Sequence, residues 1–317
     1  MVKHAVIVSA MVIALAACKG KEASPTPEGA SQREIVLKGA PVLIAVGDIA
    51  VCGTSGDEST GKLADSLVSS DSAQGVQTLI VTLGDNAYPS GDQGVNNYFQ
   101  RCFKPSWGDA RLMNIIHPSP GNHDYDSGSG APYFDFFGLR AGPRDRGYYS
   151  FDVNGWHLIS LNSELYFDAG DPDKARAQED WLRADLRAHL TQCAIAYFHR
   201  PYFSSGAYGT TRELKTIWQI LYDGGVDLVL NGHEHDYERF LPQTATGVAD
   251  ATKGMEEIVA GTGGGTLRTF DRPAANSAAR IQGRFGVLKV WLGNGEYARA
   301  FVTADGTVWD VGGRHCR

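Results

Sequence analysis

Five short segments of the chain carry residue types that bind metal ions or transfer protons. They are Gly47-Asp48, Gly84-Asp85-Asn86-Ala87-Tyr88, Gly121-Asn122-His123-Asp124, His199 and Gly232-His233-Glu234-His235. Each is weak evidence alone, because Gly-Asp is common in turns and at helix N-termini, and a histidine after an apolar run is often a packing residue. The last segment is stronger, since His233 and His235 alternate and can both reach one cation. As a set, the five segments predict a metal site.

Two cations about 3.5 to 4 Å apart need a bridging carboxylate and several oxygen or nitrogen ligands on each side. The Asp, Asn, His and Tyr side chains of the five segments supply such ligands. No pair of cysteines has the C-x-x-C spacing of a sulfur site, so sulfur ligation is not expected. We expect the glycines before Asp48, Asp85, Asn122 and His233 to let the backbone turn sharply, so that distant segments converge.

Apolar runs precede four of these segments and are typical of buried strands, at 42–46, 78–83, 194–198 and 226–230. Helical patterns alternate with them, at 61–69, 173–190 and 211–222. Asn154-Gly155 predicts a hairpin, and further strands are expected at 256–260, 286–292, 296–303 and 307–311. The sequence therefore predicts an α/β fold with a two-sheet β-sandwich core flanked by helices, and polar residues at the carboxyl ends of its strands.

The composition narrows the class of protein. Of the 317 residues, 43% are hydrophobic and 21% are charged, which is ordinary for a globular chain with a sizeable core. The net charge of −7 disfavours nucleic acid as a partner, because no basic surface is expected. We find no linker or repeat between Pro41 and Gly313, so one domain is predicted over 40–313. No obligate protein partner is readable.

The N-terminal residues look like an export signal. An apolar run at 5–17 is too short to span a membrane but suits the core of a signal peptide, predicted at 1–17. The run ends in Leu-Ala-Ala followed by Cys18, which resembles a bacterial lipobox; the alternative is an ordinary cleavage site beside a chance cysteine. Residues 18–39 are then a lipidated flexible tether. We expect an exported bacterial lipoprotein, anchored to a membrane and facing the periplasm or cell exterior.

The four remaining cysteines are an even number in a chain headed for an oxidising compartment. Three pairings are possible, and free buried thiols are the alternative. We favour Cys52 with Cys102, since both lie in loops after candidate site strands. Cys193 with Cys316 would secure the C-terminus.

The order of the motifs, GD, GDxx, GNH[DE], H and GHxH, resembles that of the calcineurin-like metallophosphoesterases. Two features resemble the purple acid phosphatases in particular. Tyr88 completes GDxxY, and residues 233–239 with the preceding Gly read GHEHDYER. One feature departs from that pattern: further histidines usually follow the His-x-Pro segment, whereas residues 203–208 here are Phe-Ser-Ser-Gly-Ala-Tyr. An acid pH optimum therefore does not follow from the resemblance.

The resemblance implies two metal ions bridged by Asp85. It places one ion on Asp48, Asp85, Tyr88 and His235, and the other on Asp85, Asn122, His199 and His233. A tyrosine phenolate is a hard anion that favours a trivalent ion, so the implied pair is Fe(III) with Fe(II), Zn or Mn. The alternative is that Tyr88 packs a turn.

The implied activity is hydrolysis of phosphate monoesters, small phosphoester substrates attacked by a metal-bound hydroxide. His123 would bind the phosphate or protonate the leaving alkoxide, and Asp124 would orient His123. The alternatives are a phosphodiesterase acting on nucleotides or lipid headgroups, and a non-catalytic anion-binding lipoprotein.

Several polar residues carry no motif. We interpret His117, His157, His189 and His315 as surface or packing residues. Arg239 is expected to contact substrate or to pair with Glu238 or another acid. Gly261–Gly265 is interpreted as a glycine-rich loop near the rim of the site, because no Lys-Ser or Lys-Thr follows it.

Overall fold

The computed structural model describes residues 37–90, 97–126, 128–167, 171–189, 193–270 and 272–317. The strands are β1 (Val42–Val46), β2 (Ala50–Val51), β3 (Thr78–Leu83), β4 (Ala87–Tyr88), β5 (Ile116–Ser119), β6 (Tyr149–Val153), β7 (Trp156–Ser160), β8 (Cys193–Tyr197), β9 (Leu228–Asn231), β10 (Tyr237–Phe240), β11 (Glu256–Ala260), β12 (Ser277–Ile281), β13 (Gly286–Leu292), β14 (Glu296–Thr303) and β15 (Val308–His315).

The helices are α1 (Gly56–Ala73), α2 (Lys104–Trp107), α3 (Ala110–Met113), α4 (Asn122–Tyr125), α5 (Ala131–Phe137), α6 (Pro172–Ala188) and α7 (Lys215–Asp223). A single π-helical turn precedes α2, at Phe99–Phe103. Short 3-10 turns lie at Gly138–Ala141, Ser163–Tyr166 and Arg212–Leu214.

Two sheets form the centre of the molecule. One is six-stranded in the order β15-β14-β13-β1-β3-β5, and the other is seven-stranded in the order β12-β10-β11-β9-β8-β7-β6. Within them, β1, β3 and β5 run parallel, as do β7, β8, β9 and β11. The predicted two-sheet core flanked by helices is confirmed.

Strand β1 shows why the core strands are apolar throughout. Its Leu43 and Ala45 point into the apolar core between the sheets, beside Ile195 of β8. Val42 and Ile44 point to the opposite face. Successive strand residues face opposite sides, so a strand covered on both faces needs an uninterrupted apolar run.

The helices cover the outer faces of the two sheets. Against the seven-stranded sheet, α6 buries Leu182 and Leu186 in one cluster with residues of α7 and β8. Helix α6 begins where the sequence indicates, because the side chain of Asp171 accepts the backbone N–H groups of Asp173 and Lys174. Helix α1 covers the six-stranded sheet and begins five residues before its predicted start.

Strands β5, β10 and β12 were not predicted. β5 carries a proline, β10 reads Tyr-Glu-Arg-Phe, and β12 is a half-exposed edge strand, so none has a clear apolar or alternating pattern. Strand β15 ends at His315, two residues beyond the predicted end of the domain.

Both favoured disulfides are present. Cys52 joins Cys102 with Cα atoms 4.9 Å apart, linking the residue after β2 to the π-helical turn. Cys193 joins Cys316 with Cα atoms 5.4 Å apart, linking the start of β8 to the segment after β15. The second bridge ties the chain end to a central strand.

His157 connects the β6–β7 hairpin to helix α6. Its ring is 1% exposed and lies between two carboxylates, with Nδ1 2.7 Å from Asp152 Oδ1 and Nε2 2.8 Å from Asp185 Oδ2. Burial lowers the pKa of His157, but the two carboxylates outweigh it and raise that pKa. His117 of β5 differs: it stacks on Phe151 at 4.1 Å, and burial with nearby Arg140 lowers its pKa.

Among the described residues, no helix has the length and apolar character needed to cross a bilayer. The predicted signal peptide, Cys18 and residues 18–36 of the predicted tether lie outside the described part of the chain.

Candidate metal centre

The predicted metal ligands follow the carboxyl ends of strands in both sheets. Asp48 follows β1 and Asp85 follows β3 in the six-stranded sheet, while His199 follows β8 and His233 follows β9 in the other. Backbone hydrogen bonds tie neighbouring loops together, for example from Asp48 N to the carbonyl of Gly84 at 3.1 Å. The structure therefore brings the separate segments to one end of the sandwich.

One group of ligand atoms surrounds the Tyr88 hydroxyl. This oxygen is 2.8 Å from Asp48 Oδ1, 3.0 Å from Asp85 Oδ2 and 3.2 Å from His235 Nε2. His235 Nε2 is 3.2 Å from Asp48 Oδ1. These four side chains are the set that the sequence assigned to the first ion.

A second group surrounds His199. Its Nε2 lies 3.1 Å from Asn122 Oδ1, 3.1 Å from His233 Nδ1 and 3.3 Å from Asp85 Oδ2. These are the side chains assigned to the second ion. Asp85 Oδ2 belongs to both groups, which is where a bridging oxygen must lie.

The chemistry of these atoms fits cations. His199 Nδ1 donates to the carbonyl of Leu83 at 2.8 Å, so its Nε2 presents a lone pair to atoms that are themselves acceptors. The single Tyr88 hydroxyl proton likewise faces three acceptors. Lone pairs held 3 Å apart need a positive charge between them, and the oxygens of Asp48 and Asp85 with a nitrogen of His199 lie within 4.8 Å of one another.

Without cations, protons replace part of that charge. Burial would raise the pKa of Asp85, but His199 outweighs it and holds this pKa below the usual range. Burial alone would lower the pKa of His199, but the Asp85 carboxylate outweighs it and raises that pKa to about 10. Burial, with Asp48 and Asp85, also raises the pKa of Tyr88 well above its ordinary value. Bound cations would displace these protons, because a nearby positive charge lowers the pKa of the His199 imidazole and of the Tyr88 hydroxyl.

The second oxygens of the two carboxylates hold the backbone. Asp48 Oδ2 accepts the N–H of His233 at 2.8 Å, and Asp85 Oδ1 accepts the N–H of His123 at 2.8 Å. Each carboxylate therefore directs one oxygen to the metal site and uses the other to fix the loop that carries a histidine.

Of the four glycines expected to form turns, Gly84 does so with a φ of 81°, and elsewhere the ligands themselves adopt the left-handed conformation. Asp48, Asp85 and His233 have φ angles of 59°, 48° and 69°, in the left-handed region that side chains rarely adopt. Gly121 has no positive φ, but a Cβ there would lie 2.3 Å from Asp85 N. The expected role of this glycine as a turn former is thus corrected: its absent side chain makes room.

His123 lies at the rim of the site, with its ring 4.6 Å from that of Tyr88 and its side chain 34% exposed. Its Nδ1 is 2.6 Å from the carbonyl of Pro89 and 2.8 Å from Asp126 Oδ2. The carboxylate that orients His123 is therefore that of Asp126, one helical turn further along.

Asp124 has a different role from the one expected. Its carboxylate is fully buried and accepts the N–H of Gly121 at 2.9 Å and the side-chain amide of Asn86 at 2.9 Å. Burial and the Asp85 charge raise the pKa of Asp124 to about 7. Asp124 thus holds the Gly84–Tyr88 and Gly121–Asp124 loops together.

A cleft of about 330 Å³ opens beside Tyr88 and His123. Its wall is mainly apolar and includes Val51, Cys52, Pro89, Tyr98, His235, Gly265 and Thr266. The glycine-rich loop is part of this rim, as expected: Gly265 N donates to the carbonyl of Asp48 at 2.8 Å. Arg239 points elsewhere, where its Nε and Nη2 bond Asp310 at 2.7 and 2.8 Å.

The family model of calcineurin-like phosphoesterases matches residues 42–237. The chain belongs to this family. The matched span begins with β1 and contains every ligand of the two groups described above.

Among curated relatives, acid phosphatase type 7 of Homo sapiens is 28% identical over 263 residues, covering 72% of this chain and 58% of the relative. Purple acid phosphatase 18 of Arabidopsis thaliana is 31% identical over 160 residues, covering 48% of this chain and 35% of the relative. The chain is purple acid phosphatase-like, and it spans 58% or less of these two relatives.

Two solved structures share the fold. Purple acid phosphatase PPD1 from yellow lupin seeds superimposes with a TM-score of 0.72 at 19% identity, covering 87% of this chain and 54% of that chain. GAP50 of Plasmodium superimposes with a TM-score of 0.71 at 17% identity, covering 88% of this chain and 90% of that chain.

The segment that lacks the additional histidines is held by buried carboxylates of the phosphoesterase. Glu257 accepts the N–H of Tyr202 at 2.9 Å, Glu238 that of Ser205 at 2.8 Å, and Glu234 that of Tyr208 at 2.6 Å. The Tyr208 ring then stacks on His233, with ring centroids 4.5 Å apart.

Several residues around the centre were not predicted to act there. Asp126 is detectable in principle, because a His and an Asp three residues apart share one face of a helix. Glu164, which bonds Arg200 beside the His233 ring, has no such local signal. It reaches the site from a segment distant in sequence, so only the fold reveals it.

Proposed function

We propose that this chain is a dinuclear-metal phosphatase that hydrolyses small phosphate monoesters. The observation that carries the proposal is the cluster of lone pairs around His199 Nε2 and the Tyr88 hydroxyl, joined by Asp85 Oδ2. Two adjacent cations fit this donor set, and such a pair stabilises both the attacking and the leaving oxygen in phosphoester hydrolysis.

The first ion would be held by Asp48, Asp85, Tyr88 and His235, and the second by Asp85, Asn122, His199 and His233. We propose Fe(III) at the first position, because a phenolate ligand favours a trivalent ion, and Fe(II), Zn or Mn at the second. When bound, such a pair activates water and neutralises charge on the phosphoryl oxygens.

The chain itself supplies a proton-transfer group and a binding cleft. The Nδ1–H of His123 is fixed by Pro89 and Asp126, which leaves Nε2 directed toward the site, 4.0 Å from Asp85 Oδ2. From there a protonated His123 donates to the leaving alkoxide, and Asp126 stabilises its charge. The cleft of about 330 Å³ suits the leaving group of a small ester.

The test compares p-nitrophenyl phosphate with bis(p-nitrophenyl) phosphate on protein loaded with iron and zinc. The proposal expects the monoester to have the higher kcat/KM, and a chelator to abolish both rates. A faster diester reaction would indicate a phosphodiesterase instead. Full metal occupancy with no hydrolysis of either ester would indicate a non-catalytic anion-binding protein.

We further propose that the protein is an exported lipoprotein whose phosphatase domain, residues 40–313, follows a tether anchored through Cys18. The sequence motif at 15–18 supports this proposal. Cys18→Ser is expected to release soluble protein or leave an uncleaved precursor. Recovery of the unmodified chain from cells without detergent would contradict the anchor.

A further inference from the structure

Each of the three histidines of the metal centre has one ring nitrogen that faces away from the ligand cluster. These nitrogens differ in what they contact. His199 Nδ1 faces the carbonyl of Leu83 at 2.8 Å, and His235 Nδ1 faces the carbonyl of Thr266 at 2.8 Å. Both contacts are N–H donations to an acceptor, the usual support for a ligating histidine. His233 is the exception, because its Nε2 faces the Arg200 guanidinium, 3.2 Å from Nη1.

Arg200 is firmly held in this position. Its Nε lies 3.0 and 2.9 Å from the two carboxylate oxygens of Glu164, and its guanidinium stacks over the Phe167 ring at 4.1 Å. Its backbone N–H donates to Ser163 Oγ at 3.2 Å. Because Arg200 pairs with Glu164 through Nε, its Nη1 is directed at His233. The Arg200 side chain is 19% exposed.

When His233 ligates a metal ion, Arg200 and His233 both present an N–H donor at their contact. His233 Nδ1 points into the ligand cluster, 3.1 Å from His199 Nε2. A neutral imidazole that ligates through Nδ1 carries its proton on Nε2. The N–H of Arg200 then faces the N–H of His233, and neither accepts a hydrogen bond. A single acceptor that both groups can reach satisfies such a pair.

We propose that Arg200 Nη1 and His233 Nε2 together bind one oxygen of the substrate phosphoryl group. This inference rests on the proposed function, since it assigns the acceptor to the substrate of the same site. A phosphoryl oxygen suits the position, because it is anionic and accepts from two N–H donors at once. Arg200 is then the positive group that an acidic protein needs locally to bind an anion.

The experiment measures the affinity of metal-loaded protein for inorganic phosphate by isothermal titration calorimetry, with metal content determined on the same samples. Two variants remove the Arg200 donor. Arg200→Met combined with Glu164→Gln avoids leaving a buried unpaired carboxylate, and Arg200→Lys keeps a charge for Glu164 without the second donor arm. Each is expected to raise the Kd for phosphate on the order of 10- to 100-fold, the scale of a hydrogen bond to a charged group, with unchanged metal content.

Arg268→Met is the matched control. Arg268 is also close to His233, but its Nη1 approaches the backbone carbonyl, at 3.4 Å, rather than the ring. The phosphate affinity of this variant is expected to stay within about threefold of wild type, because a partly exposed charge contributes little. Equal weakening in all three variants would show that the loss is not specific to the Arg200 donor and would overturn the proposal.

Two other results would also overturn it. Phosphate affinity unchanged in both Arg200 variants would show that water or another group satisfies the donors. Loss of metal from these variants would show that Arg200 supports His233 rather than the anion. The predicted pattern in a protein that hydrolyses no phosphoester would support the anion site while refuting the proposed catalytic function.

Discussion

Replacing His157 by Phe tests whether a charged imidazole joins the β6–β7 hairpin to helix α6. Phe retains the ring but removes both N–H donors. The bond to Asp185, whose side chain is 7% exposed, is worth about 1.5 to 3 kcal/mol. The bond to Asp152 adds about 0 to 1 kcal/mol, because that side chain is 56% exposed. The variant should therefore lose about 1.5 to 4 kcal/mol of unfolding free energy near pH 6.

The loss should depend on pH in a direction fixed by the pKa shift. The two carboxylates raise the pKa of His157 in the folded protein. Its contribution is thus complete below the unfolded pKa of about 6.5, and declines as the pH rises through the folded pKa. His117 provides a control of opposite sign, because its folded pKa is lowered. His117→Phe should gain stability relative to wild type as the pH falls below about 6.5.

Thermal unfolding followed by circular dichroism, on proteins of equal metal content between pH 5.5 and 9.5, measures both effects. For a chain of this size the His157→Phe deficit corresponds to roughly 2 to 7 °C at pH 6. A deficit that stays constant with pH, or grows under alkaline conditions, would refute the charged imidazole. The same slope for His117→Phe would show that the pH dependence is not specific to His157.

The remaining predictions concern the metal centre. Tyr88→Phe should bleach the pink to purple colour expected of the iron-loaded protein, measured by absorption in the visible range; a variant that keeps its colour would exclude Tyr88 as a ligand. Asp85→Ala should lose both metals by elemental analysis, whereas Asn122→Ala should lose mainly the divalent ion; an unchanged metal count in Asp85→Ala would remove the bridging assignment. His123→Ala should lose roughly 100-fold or more in kcat on esters with poor leaving groups, the scale of general acid catalysis. Asp126→Asn should lose less, because it removes only the carboxylate that orients His123; losses of equal size on activated aryl esters would argue against a proton-donor role.

The sequence was most informative where the chemistry lies directly after a buried strand. The apolar runs of β1 and β3 gave their bounds without error, because a strand covered on both faces has a continuous apolar pattern. The seven proposed ligands could be named from their motifs, and the structure places all seven in two connected groups.

What the sequence could not give depends on contacts between distant segments. Asp124 was expected to orient His123, but adjacent residues on a helix point in different directions, and Asp126 takes that place. Arg200 and Glu164 lie 36 positions apart, so their pairing follows only from the neighbouring positions of β7 and β8. Likewise, the crowding at Gly121 arises from the Asp85 backbone, which no local pattern reveals.

The segment over His233 is bonded to three buried carboxylates mainly through its backbone amides, with the Ser205 hydroxyl also bonding Glu238. Glu257, Glu238 and Glu234 each accept peptide N–H groups of residues 202–209, and a peptide N–H is the same for every residue except proline. Side chains at the tip of this segment, such as the 60% exposed Tyr208, can therefore change without altering its path. The surface beside His233 can therefore vary at this tip while the three carboxylates keep the segment in place.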